Sequence, residues 1–267
     1  MTPADALTVL NFLDQAPTHT PATLRQGETL IRYAQPGTPA ADLIRRDAEM
    51  LLALSPHGLP GPELLELDLG GRRVRHAFSL QRLPHPEAVP GQEGDGEEVW
   101  RQFGEYMQRL HSLPILATGV VVPSPNPLRL LEQLNEEQVI TDRDLAWLEV
   151  WVESLQKQAG EPQFATLHGS LRPANLLLSQ DRRTFLGLVD WSKAQAGDPA
   201  RDFVYLPLEV CAMVGGEDEQ QTAAMLLAFV TRLLLDLREA AQGRLALAAA
   251  TSRLFALFRY TPDGGRG

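Results

Sequence analysis

The stretch "HGSLRPANLL", residues 168–177, decides how this chain is read. His168, Ser170 and Asn175 lead into the short apolar run "NLLLS". A second block, "FLGLVDWSKAQAGDPARDF", begins with an apolar run that ends at Asp190. Runs this short, bounded by polar residues, predict strands rather than helices. With "FATLH" just upstream they make a group of three, with polar residues clustered at their ends. If the last two pair as a hairpin, Asn175 and Asp190 come together.

An amide oxygen beside a carboxylate suits Mg²⁺. That ion prefers hard oxygen donors and needs only one or two protein side chains. Phosphoryl transfer from ATP requires such an ion, because it bridges the phosphates and offsets their charge. A lone Asn or a lone Asp carries no such meaning, and both residues also serve as ordinary strand-end caps. The pair, behind "HG" and before "DW", points to ATP and Mg²⁺ as cofactors.

These motifs resemble the aminoglycoside phosphotransferase and choline-kinase-like family, small-molecule kinases of protein-kinase-like fold. Its pattern runs roughly H-G-D-x-x-x-x-N, then I-D-W, then G-D-P-x-x-D. This chain has His168, Gly169, Ser170 and Asn175, then Val189-Asp190-Trp191, then Gly197-Asp198-Pro199 and Asp202. "LHSLP" at 110–114 and "FSLQRLP" at 78–84 match further family stretches. The resemblance covers nearly the whole chain and is densest at 164–206.

The resemblance implies an α+β, bilobal protein-kinase-like fold. A strand-rich N-lobe would span 1–83, with nucleotide-binding strands and one helix. A mostly helical C-lobe would span 84–267, with the catalytic loop and metal-binding hairpin at 164–192. It implies that Asn175 and Asp190 hold Mg²⁺ and that Arg32 contacts ATP phosphates. Glu49 would pair with that cation, with Asp47 as the alternative. "HTPATLRQ" at 19–26, including Thr20 and Ala22, would cover the phosphates, although its tip has no Gly. His168, Asp198 and Asp202 would brace the catalytic loop. Taken without the resemblance, Arg32 reads equally as an exposed strand cation, and Asp198 as a turn residue.

Ser170 is the departure. The family has Asp there, which accepts or orients the proton of the acceptor hydroxyl. A serine does not accept that proton at neutral pH, and general-base assistance is worth about 10²- to 10⁴-fold. Phosphoryl transfer has a loose transition state and draws most of its catalysis from positioning and charge. Loss of the base is therefore expected to slow transfer without forbidding it. The expected function is phosphoryl transfer from ATP to a hydroxyl of a small molecule. The alternative is a nucleotide-binding pseudokinase that acts as a sensor or partner-binding module.

The rest of the chain is consistent with this. It has 267 residues, 44% hydrophobic, enough for one large domain or two small lobes. A net charge of −10 argues against nucleic acid as a partner, since phosphate neutralisation needs a basic surface. Acidic residues after Asp202, namely Glu209, Glu217, Asp218 and Glu219, suit a cationic acceptor and equally suit a solvated turn. The single cysteine, Cys211, permits no internal disulfide and lies in an apolar run. Neither a signal segment nor a membrane span is visible, so a cytoplasmic location is expected. His57, His76, His85 and His111 show no ligand spacing, and no internal repeat is present. Nothing in the sequence reports the oligomeric state.

Secondary-structure expectations follow from pattern. "ATLRQGETLIRYA" predicts a hairpin at Gln26-Gly27, and "AADLIRRDAEMLLAL" an amphipathic helix. "PELLELDLGGRRVRHAFSLQRL" predicts two or three strands turning at Gly70-Gly71. The Pro-, Gly- and acid-rich "PHPEAVPGQEGDGEE" predicts a loop. Helices are expected over "EEVWRQFGEYMQRLHSLP", "NPLRLLEQLNEEQVI", "TDRDLAWLEVWVESLQKQ", "TAAMLLAFVTRLLLDLREAAQG" and "RLALAAATSRLFALFRY". Thr141 with Asp144 predicts a capping box.

Overall fold

The structure is a computed structural model. It describes Leu10, residues 15–116, Val121, residues 123–207, Val210, Val214 and residues 218–243. The predicted helix beyond 243, the segment "ADALTVLNFLD" apart from Leu10, and Cys211, Glu209 and Glu217 lie outside the described residues. The chain divides into two compact units. The first is Met1–Val121 with Phe164–Ala196, and the second is Val122–Gln163 with Gly197–Gly267.

The first unit opens with an antiparallel sheet of four strands in the order β1-β2-β4-β3. These are β1 (Ala22–Gln26), β2 (Thr29–Ala34), β3 (Glu63–Asp68) and β4 (Ala77–Arg82). β1 and β2 form the predicted hairpin, closed by Gln26 opposite Thr29. β3 and β4 pair antiparallel, with a register shift between Leu64 and Glu66. Two strands, not three, form around Gly70-Gly71.

Helix α1 (Pro39–Leu54) packs against this sheet. It starts at a proline, whose missing N–H is no loss in the first turn, and Asp42 there favours the positive helix end. Its buried face includes Ile44, Asp47, Ala48, Leu51 and Leu54. One residue in that apolar stripe, Asp47, is thus a carboxylate.

A second small sheet orders β5 (Val89–Pro90), β7 (Leu176–Leu178) and β8 (Phe185–Leu188). β6 (Ala165–Leu167) pairs with β9 (Gln195–Gly197). Helix α2 (Glu97–His111) holds the β7–β8 hairpin in place. Phe185 meets Phe103 and Tyr106 edge-on, at 5.9 and 5.2 Å between ring centres. Its backbone N–H donates to the Gln102 side chain at 2.8 Å. At the hairpin's turn, Arg182 Nε donates to Asp95 Oδ1 at 2.7 Å. Asp95 belongs to the acid-rich stretch predicted as a loop, yet its side chain is 2% exposed.

The second unit is built on α3 (Pro127–Glu136), α4 (Asp142–Ala159) and α5 (Glu219–Ala241). Leu130, Leu131, Leu134, Leu148, Val152, Leu155, Val230, Leu233, Leu234 and Leu237 form its core. The capping box is present: Asp144 N–H donates to Thr141 Oγ1, and Thr141 N–H to Asp144 Oδ2. Among the described residues, no helix is long and apolar enough to cross a membrane.

Candidate active site

The β7–β8 hairpin does what the spacing predicts. Leu176 pairs with Leu188, and the Val189 N–H donates to the Asn175 carbonyl at 2.9 Å. Asn175 and Asp190 therefore sit at the same end of neighbouring strands. Asn175 Nδ2 donates to the Ser170 carbonyl at 2.9 Å, which leaves its amide oxygen for another partner. Asp190 adopts a left-handed backbone, φ 66°, an unfavourable conformation for a non-glycine residue. Strain of this kind persists only where surrounding contacts hold it.

Those contacts converge from three elements. Arg32, on β2, places Nη1 2.8 Å from Asp190 Oδ1 and 3.1 Å from Asp47 Oδ2. The guanidinium thus bridges the two carboxylates. Ser192 donates its hydroxyl to Asp190 Oδ1 at 2.7 Å. Asp47, only 1% exposed, accepts from the Trp191 N–H at 2.7 Å and from Gln81 Nε2 at 2.7 Å. A carboxylate so deeply buried needs pairing and hydrogen bonds to offset its lost hydration, and both are present here.

Protonation follows from this geometry. Burial pushes the Asp190 carboxyl up, but Arg32, the Ser192 hydroxyl and His168 outweigh it and hold it below its ordinary range. Burial also opposes the charge on Arg32, and Asp47 with Asp190 outweighs that, holding Arg32 above its ordinary value. Two carboxylates face one guanidinium. A divalent cation fits. Asp190 Oδ2 and the Asn175 amide oxygen are hard donors left unused, and Mg²⁺ needs no more from the protein. Among the described residues, no group of three or more His, Cys, Asp or Glu side chains forms a cage of its own.

His168 lies beneath the loop with 0% exposure. Its Nε2 is 2.9 Å from the Val189 carbonyl, and its ring lies 4.6 Å from that of Trp191. Gly169 has φ +81°, and a Cβ there would fall 2.0 Å from the Lys193 carbonyl. Only glycine lets the loop lie against the Trp191–Lys193 turn. Ser170 Oγ is buried and has no hydrogen-bond partner among the described residues.

Not every expected residue joins this cluster. Glu49 pairs with Arg45 on the exposed side of α1, at 2.8 Å; Asp47 is the acid that meets Arg32. The reason is helical phase. Asp47 lies three residues after Ile44 and four before Leu51, on the buried stripe, whereas Glu49 points away from it. That spacing was readable, and a charge on an apolar face was its signal. Thr20 is exposed just before β1, and Ala22 opens that strand opposite Tyr33. In the second unit, Asp198 accepts from the Ala200 N–H and starts the 3₁₀ turn Pro199–Phe203, in which Asp202 is buried. Gln81 was not singled out from sequence as a site residue.

Residues 20–251 match the model of a family described as the phosphotransferase enzyme family. The chain belongs to that family. Among curated relatives of this phosphotransferase-family chain, acyl-CoA dehydrogenase family member 10 of Mus musculus is 23% identical over 195 residues. The uncharacterized protein YcbJ of Bacillus subtilis is 42% identical over 118 residues. The matches take 68% and 40% of this chain, and span 18% and 37% of those relatives' lengths. Among solved structures, the GDP complex of aminoglycoside 2'-phosphotransferase-IIIa superposes with a TM-score of 0.63 at 19% identity. That match covers 96% of this chain and 98% of the other. A choline/ethanolamine kinase family protein from Mesorhizobium loti gives 0.55 at 17% identity, covering 99% and 97%. At these identities the likeness shows the fold, which is kinase-like and α+β.

Proposed function

We propose that this protein binds ATP with Mg²⁺ and transfers the γ-phosphoryl group to a hydroxyl of a small molecule. The juxtaposition of Asn175 and Asp190, with Arg32 2.8 Å from Asp190, carries this reading. The amide and carboxylate oxygens would hold the ion, which supplies charge neutralisation of the phosphates when bound. Arg32, fixed by Asp47, keeps Nε and Nη2 as further donors toward a phosphate. Residues 1–83 would then serve the nucleotide, with Thr20 and Ala22 near its phosphates. Residues 84–267 would carry the hairpin and receive the acceptor. Solved relatives bound to GDP, and to GDP with kanamycin, support a nucleotide and a hydroxyl-bearing acceptor, and a cationic acceptor suits the acidic chain.

Ser170 favours a second reading. With no carboxylate in the base slot, the same site serves a pseudokinase that binds nucleotide and reports its presence to a partner. Both readings require Mg²⁺-dependent binding of ATP. Titration calorimetry of the purified protein with ATP, with and without the ion, tests them together. Binding that depends on Mg²⁺ is the expected result; no heat at millimolar ATP overturns both. Phosphoryl transfer to a panel of hydroxyl acceptors then separates them.

A further inference from the structure

Strand β4 is buried along its length from Ala77 to Gln81, yet two of those five residues are polar. Phe78 and Leu80 join Leu10, Ile31 and Val74 on one face of the sheet. Ala77, Ser79 and Gln81 alternate onto the other, where α1 packs. Ser79 is 0% exposed and Gln81 1%. An apolar residue would fill that space without the loss of hydration that a buried amide suffers, so the amide calls for a reason.

Its contacts supply one. Gln81 Nε2 donates to Asp47 Oδ2 at 2.7 Å and lies 3.3 Å from Ser79 Oγ. Asp47 Oδ2 is also the oxygen near Arg32, while Oδ1 accepts from Trp191 N–H, one residue beyond Asp190. A carboxylate on two single bonds rotates freely unless something fixes its plane. Gln81, reaching in from a strand rather than from α1 itself, fixes it.

We infer that Gln81 is a positioning residue: its amide sets the Asp47 carboxylate and, through it, the backbone at Trp191 and the left-handed conformation of Asp190. Its consequence for the nucleotide rests on the function proposed above. The bond to the Trp191 backbone does not.

Two variants test it. Gln81→Leu keeps the volume and removes the donor. Amide hydrogen exchange is read at Trp191 and at Phe185, whose N–H is held by Gln102 independently of Asp47. Loss of the tether accelerates exchange at Trp191 relative to Phe185, whereas general destabilisation accelerates both alike. Affinity for ATP·Mg²⁺ falls by about 10- to 100-fold, the usual effect of losing a group that orients a metal ligand.

Gln81→Glu adds a readout that a filler residue would not give. The introduced carboxyl faces Asp47 from α1 and, beyond it, Arg32 from β2; its register partners Leu30 and Leu64 are apolar. Ionised, it repels Asp47. Protonated, it donates as the amide did. Trp191 protection in this variant is therefore restored as pH falls, against a wild type measured over the same range. An unchanged Trp191-to-Phe185 ratio in Gln81→Leu overturns the inference, whether or not ATP binds. A wild type that ignores ATP while the ratio shifts sinks the proposed function and leaves the tether standing.

Discussion

The two units differ in where their buried polar groups stand. The second packs leucine and valine from three helices into an apolar cluster, and its buried polar side chains, Asp202, Thr231 and Asp236, lie outside that cluster. The first buries Arg32, Asp47, Ser79, Gln81 and His168 within a few contacts of one another. Apolar burial contributes about 25 cal/mol per Å² wherever shapes fit. Buried ions often fail to repay their desolvation, and well-packed apolar replacements are frequently as stable or more so. The contrast teaches that the second unit is shaped by packing, while the first carries an arrangement that packing alone would discard. Such an arrangement suits ligand chemistry.

The sharpest way to probe the first unit is to complete its missing group. Ser170→Asp restores the base slot, and transfer to an accepted hydroxyl should rise by about 10²- to 10⁴-fold. If a measurable wild-type rate stays the same, Ser170 does not occupy that slot.

Next in size is the ion pair. Arg32→Met leaves Asp47 buried without its cation and should lower unfolding stability by about 3–5 kcal/mol. Adding Asp47→Leu removes the unpaired carboxylate but orphans the Trp191 N–H and the Gln81 amide, so it should recover only part of that loss while ATP binding stays absent. A double variant that is no more stable than the single would erase the contrast between the units.

In the second unit, Leu234→Ala at a fully buried position should destabilise by about 2–5 kcal/mol in denaturant titration. ATP affinity of the folded protein should hold. A nucleotide defect there would show that packing and ligand chemistry are not separate.

The smallest effect belongs to the helix cap. Thr141→Ala should cost about 0.5–2 kcal/mol. Hydrogen bonds from Thr141 hold the Asp144 carboxyl below its ordinary value. Its contribution is therefore complete above the unfolded carboxylate range and is lost as pH falls through the lowered folded value. The gap between wild type and variant should narrow in acid to the part carried by the Asp144 N–H bond to Thr141 Oγ1; a gap that widens there would contradict the cap.

Much of this was legible in the sequence because its signals are local. The β1–β2 turn, the capping box and the hairpin joining Asn175 to Asp190 each depend on residues a few positions apart. Helical spacing puts Val99, Trp100, Phe103, Met107 and Leu110 of α2 on one face, and all of them are buried. What was not legible involves residues far apart in the chain. Asp95 reads as part of a solvated acidic loop until Arg182, 87 residues later, folds onto it. Gln81 reads as one letter in a strand, and the Trp191 amide that completes its network leaves no trace in side-chain patterns. Choosing between Asp47 and Glu49 needed only helical phase, and there charge type obscured position.

The close approach at Gly169 bears on any attempt to graft this loop elsewhere. With no room for a Cβ between Gly169 and the Lys193 carbonyl, the two segments form a single interlocked module. Residues 168–175 moved alone into a related scaffold would lose the surface that shapes them. Donor and recipient chimaeras should exchange 168–175 and 190–194 together or leave both in place.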